Sequence, residues 1–178
     1  MWALIESNSI TKTFNAPKGF TLGDIQYPAS IFTLWSKAEK EAIGIYEIIN
    51  DSTNVKDQSY YINGAESITW DSSAETVTKS YASATAKTLA DLKTEHKFTI
   101  NSQAAGNLQP TDWMVVRAAE GGTAVPSDIT TKRAAVRTKA NSMQAQIDGA
   151  ADVDALAALY VYNDADPAVR PLGELPTV

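Results

Sequence analysis

The chain has 178 residues, 44% of them hydrophobic and 20% charged, which suits one ordinary domain or two small ones with a real core. With no cysteine it has no disulfide, thiolate zinc site or cysteine nucleophile, and a formal charge of −6 argues against general affinity for nucleic acid or anionic membrane. No run approaches the roughly 18 apolar residues of a membrane span, and MWALIESNSITKTF has no basic leader before an apolar block, so the expected site of synthesis is a cytoplasm.

The first half reads as short strands separated by turn residues. WALIE (2–6) and ITKTF (10–14) flank SNS, and NAPKG (15–19) turns the chain before FTLGDIQYP. Ser36 followed by Glu39 has capping-box spacing, and Gly44 falls where a helix end wants positive φ, so one or two helical turns are expected before a strand at IYEII (45–49). SYYI (59–62) and AESITW (65–70) flank Asn63-Gly64, the dipeptide favoured in type I′ turns. With ETVTKSY (75–81) joined through DSSA, they predict a three-stranded antiparallel meander.

From about residue 84 alanine rises, and all four arginines fall in this half. TLADLKTEHKFTINSQAAG (88–106) is helix-like, Pro110 breaks it, and Thr111 with Asp112 can open a short helix that Gly121-Gly122 ends. After Pro126, the residues Ile129, Val136, Ala140, Met143 and Ile147 form an apolar seam along a helix that stops at Gly149. DVDALAALY (152–160) predicts a last helix folding back as a hairpin, and the three prolines of the tail predict an extended segment. The expected class is α+β: a small antiparallel β module with one short helix over residues 1–83, then a helical hairpin or small bundle with an extended Pro-rich tail over 84–178.

No set of residues carries a catalytic or cofactor signature. His96, the single histidine, lies between Glu95 and Lys97 without Ser-His-Asp spacing and reads as part of a solvated helix face. The carboxylates of DVD (152–154) and DADP (164–167) lack the remainder of an EF-hand loop, Asp152 reads as a helix cap, and no glycine-rich phosphate loop is present. The expectation is therefore no enzyme, no metal and no cofactor. Lys132, Arg133, Arg137 and Lys139 could meet an acidic partner, although a solvated face is the preferred reading. Trp113 could anchor an interface or staple the short helix to the β module, the second being preferred; Trp2, Trp35 and Trp70 read as core fillers.

LWSKAEKEAIGIYEI (34–48) resembles a segment of small tailed-bacteriophage proteins in which an acidic helix runs into a G-[VI]-Y-x-[VI] strand. TDWMVVRAAEGGTAVPSDITTKRAAVRTKANSM is similar to the D-W-x-V-x-R … P-x-x-[VI]-x-x-x-R-x-x-[VI]-R arrangement of phage tail-fibre assembly and tail-assembly-chaperone-like proteins. Here Asp112, Trp113, Val115, Arg117, Pro126, Ile129, Arg133, Val136 and Arg137 carry it. The likeness covers about 1–49 and 108–160; the chain ends ELPTV where such proteins commonly end in a Trp-Pro tail.

This resemblance implies a non-enzymatic phage protein made in the host cytoplasm, with tail or tail-fibre proteins as partners and self-association left open. It would reside in the virion as a tail or fibre-associated component, with Trp113, Arg117, Arg133 and Arg137 as candidate contact residues, or act as a transient fibre-assembly chaperone. A carbohydrate- or receptor-binding module is a further alternative, suggested by Tyr60, Tyr61, Trp70 and Tyr81, although cross-strand packing is the preferred role for these rings.

Overall fold

The computed structural model describes all residues from Met1 to Val178 and has 39% helix and 22% strand in an α+β arrangement. The chain divides into two compact units, Met1–Thr85 and Ala86–Val178.

In the first unit, β1 (Trp2–Glu6) and β2 (Ser9–Phe14) form a hairpin whose two turn residues, Ser7 and Asn8, both take positive φ. β3 (Phe20–Leu22) and β4 (Ile25–Tyr27) form a second, separate hairpin. Two short helices follow, α1 (Ile31–Leu34) and α2 (Lys37–Glu41), and then β5 (Ile45–Asn50). The expected capping box is present: the Glu39 backbone N–H donates to Ser36 Oγ at 3.3 Å, and the Ser36 N–H donates to Glu39 Oε2 at 2.7 Å. Gly44 has φ +78°, and a Cβ there would lie 2.6 Å from the Ile5 carbonyl oxygen. Gly44→Ala therefore combines left-handed strain with a backbone clash, and thermal denaturation should show a loss of about 2 kcal/mol.

The remaining strands are β6 (Tyr61–Ile62), β7 (Glu66–Asp71), β8 (Thr76–Tyr81) and β9 (Thr85–Ala86). The main sheet has the order β2-β1-β5-β8-β7. The expected β7–β8 hairpin forms, with Trp70 opposite Val77, but β8 lies parallel to β5, with Val77 opposite Ile48. The sheet is thus mixed, not a simple antiparallel meander. The core accounts for this: Val77 is fully buried with Ala3 and Ile48, a contact made by bringing β8 alongside β5.

The Asn63-Gly64 hairpin is corrected as well. β6 pairs with β9, and neither Asn63 nor Gly64 has positive φ. The Asn63 amide is engaged elsewhere: its Oδ1 accepts from the Lys56 N–H at 2.8 Å and its Nδ2 donates to the Lys56 carbonyl at 3.0 Å. Gly64 is needed for space, because a Cβ would strike the Ala82 carbonyl.

Both faces of β1 are covered, which explains why WALIE is an apolar run without strand alternation. Leu4 joins Phe14, Phe20, Ile31, Phe32 and Ile45 on one side, with Trp2 and Trp35 packed against them; Ala3 joins Ile48 and Val77 on the other. Trp70 packs on Tyr46 with ring centroids 4.6 Å apart. Its Nε1 donates to Asn8 Oδ1 at 2.9 Å, so the β2 and β7 ends of the sheet are drawn toward each other.

The second unit contains α3 (Leu89–Leu108), a 3-10 turn (Gln109–Thr111), α4 (Asp112–Ala119), α5 (Ser127–Gly149) and α6 (Val153–Ala158). Its principal pair is α3 against α5, joined where Lys93 Nζ donates to the Asp148 carbonyl at 2.9 Å, Lys97 pairs with Asp148 at 2.7 Å and Gln144 bonds Asn101 at 3.0 Å. Val136, Ala140, Met143 and Ile147 are buried as the seam requires. Asp152 caps α6 by accepting from the Ala155 N–H at 2.7 Å.

Candidate functional site

Within the helical unit, the segment around Asp112 and the segment around Arg133 meet at the start of α4. Thr111 Oγ1 donates to the Leu108 carbonyl at 2.9 Å, closing the turn that contains Pro110. From α5, Arg133 sends Nη1 to the Leu108 carbonyl at 2.7 Å and to Thr111 Oγ1 at 2.5 Å, and Nη2 to Asp112 Oδ1 at 2.7 Å. The guanidinium fork thus ties α5 to the last carbonyl of α3 and the first residue of α4. Arg133 is only 5% exposed, so the solvated-face reading does not hold for it. Nor does it hold for Lys139, whose Nζ donates to the Leu172 carbonyl at 2.8 Å. Lys132 and Arg137 are exposed on α5.

Beyond this clamp, α4 buries none of its residues. Trp113 is 55% exposed and Val116 54%, with Val115 exposed beside them. Within its own unit Trp113 is therefore displayed, not packed. Its ring is covered on one face by the Arg117 guanidinium, 4.8 Å from the centroid. Gly121, at φ +85°, ends the helix, and the Gly122 N–H donates to the Arg117 carbonyl at 3.0 Å. A Cβ on Gly122 would lie 2.8 Å from Arg117 Cγ, so the second glycine leaves room for the arginine stem. Of the four candidate residues, Trp113 and Arg117 are brought together on α4. Arg133 braces that helix from below, and Arg137 stands apart, exposed on α5.

A second arrangement was not legible in the sequence. The tail forms neither helix nor strand, as expected, but it doubles back instead of running free. The Leu172 N–H donates to the Leu159 carbonyl at 3.0 Å, and the Leu172 side chain is fully buried. Arg170 lies 5.4 Å from the ring centroids of both Tyr160 and Tyr162 and pairs with Glu174 at 2.8 Å. The i,i+4 spacing of Arg170 and Glu174 with the neighbouring tyrosines is the one signal that could have indicated it. His96 packs against Tyr160 at 4.6 Å, and partial burial pushes its imidazole below the ordinary histidine value.

The Tyr162 hydroxyl donates to Glu174 Oε1 at 2.6 Å and, with Arg170, holds the Glu174 carboxyl below the ordinary range. A depressed carboxyl stabilises the folded form at pH above its unfolded value of about 4.3, and that contribution disappears as pH falls through the lower folded value. Acidification should therefore loosen this contact, seen as a shift in the Tyr162 ring NMR signals. Glu174→Gln should remove that acid transition.

The aromatic residues considered for sugar stacking are largely engaged. Tyr60 and Tyr61 are buried, Trp70 packs and bonds as described, and the Tyr81 ring lies 5.4 Å from Lys79 Nζ. No helix is long and apolar enough to cross a membrane. Comparison of the chain with protein-family models, curated proteins and solved structures yields no match.

Proposed function

We propose that the chain is a non-enzymatic bacteriophage structural protein, associated with the tail or tail fibre, that makes protein–protein contacts in the virion, with α4 as its contact element. One observation carries the reading: the two separated halves of the phage-like motif meet in the Asp112–Arg133 pair, at 2.7 Å, and the residue following Asp112 is the exposed Trp113. A buried arginine fork bracing a helix that buries nothing else is the arrangement expected of a surface held in place for a partner. Tryptophan and arginine are the residue types that most often dominate interface energetics.

Trp113→Ala separates this role from a structural one. The exposed ring contributes little to the fold, so the purified variant should unfold within about 0.5 kcal/mol of the parent. Loss of an interface anchor of about 2 kcal/mol corresponds to roughly 30-fold weaker binding, so phage encoding Trp113→Ala should incorporate far less of the chain. Normal incorporation of a normally folded variant would remove α4 from the proposal.

A further inference from the structure

The helical unit holds its own tail through contacts that read backbone. Lys139 Nζ donates to the Leu172 carbonyl at 2.8 Å, Asn107 Nδ2 donates to the Pro176 carbonyl at 3.2 Å, and the Leu159 carbonyl accepts the Leu172 N–H at 3.0 Å. One side chain, Leu172, is fully buried as an anchor. Gly173 follows it at φ +72°, and a Cβ there would lie 3.1 Å from Lys139 Cε. The groove therefore selects an apolar residue followed by glycine on an irregular strand of backbone, with little demand on what lies beyond.

We propose that this groove also accepts the same tail from a second copy of the chain, giving a reciprocal exchange of residues 172–176 between two molecules. Two observations support that occupant. The tail supplies the matching chemistry and is joined to α6 by a connection with no helix or strand, reversed by paired bonds in which the Asn163 N–H donates to the Val169 carbonyl and the Val169 N–H to Asn163 Oδ1, each at 2.9 Å. Opening that reversal turns the connection into a hinge. The same connection leaves Val161, Tyr162 and Val169 exposed around an open cavity of about 440 Å³, apolar surface that two crossing hinges would cover.

The docking contacts of residues 172–176 are the same within and between molecules. Exchange gives up the Asn163–Val169 reversal, covers Val161, Tyr162 and Val169, and has its concentration scale set by the effective concentration of the tethered tail. A short linker holds its own end at about millimolar effective concentration, so exchange emerges as protein concentration approaches that level. The inference does not depend on the phage reading.

The chain has no cysteine, so single cysteines report the contact cleanly. Full-length Asn107→Cys and Pro176→Cys proteins are mixed across micromolar to millimolar concentration and treated with a short bismaleimide. The expected result is a cross-linked heterodimer whose yield rises at least tenfold across that range and is lost when Leu172→Asp is added to the Pro176→Cys chain. The control is Asn107→Cys/Pro176→Cys in one chain, which should cross-link internally at low concentration. Internal cross-linking without any heterodimer above the Leu172→Asp level would overturn exchange. Failure of the double variant to cross-link would overturn the docked tail itself, and the exchange with it.

Discussion

Arg133→Ala is expected to destabilise the helical unit by about 2–4 kcal/mol in urea denaturation and to raise amide exchange throughout α4. Two effects could contribute, and their magnitudes separate them. Asp112 is 56% exposed at its side chain and would rehydrate once its partner is gone, so the ion pair itself accounts for about 1 kcal/mol or less. The Leu108 carbonyl and Thr111 hydroxyl lose a donor in a buried setting, at about 1–3 kcal/mol for each group left unmade, less where Thr111 still bonds Leu108. Hydrogen bonding to the turn therefore dominates over charge. Asp112→Asn should then cost about 1 kcal/mol or less. Arg133→Lys should recover only part of the loss, because one ammonium cannot span all three acceptors as the fork does. Equal losses for Asp112→Asn and Arg133→Ala would mean that the ion pair, not the turn, is what Arg133 supports.

Leu172→Ala is expected to cost about 2–3 kcal/mol and to make residues beyond Tyr160 susceptible to proteolysis under native conditions. A fully buried leucine truncated to alanine loses about 2–5 kcal/mol, the upper values belonging to sites that cannot relax. Here the anchor sits in a segment with no helix or strand, which can lift away locally, so local release limits the loss. The three backbone-directed bonds set the remaining affinity. A variant with normal stability and a protease-resistant tail would show that those bonds suffice without the side chain.

The features legible in the sequence are those decided within a few residues. The Ser36–Glu39 capping box, the Asp152 cap, the glycine ends at Gly44 and Gly121 and the Ile129–Ile147 seam are all local, and the structure bears them out. Asn63-Gly64 misled because the turn is decided non-locally, by Lys56 holding the asparagine amide and by Ala82 crowding the glycine. The parallel β5–β8 pairing is likewise set by the shared burial of Ile48 and Val77, which no short-range pattern encodes.

The apolar seam skips from Ile129 to Val136, and Arg133 stands at the missing step, four residues after one and three before the other. A charge on the buried face of a helix signals a partner, and that spacing identifies Arg133 as an inward clamp. Nothing local marks Trp113 as exposed; its freedom follows from α4 having no neighbour over that face within its own unit.

Quantitative mass spectrometry of gradient-purified phage particles, with the major capsid protein as the copy-number standard, tests whether the chain is a virion component. The chain is expected at a fixed copy number, a multiple of three for a fibre position or of six or twelve for the tail or neck. Absence from particles, with the chain bound to the fibre protein in infected-cell lysate, would contradict a virion role and establish transient assembly assistance instead.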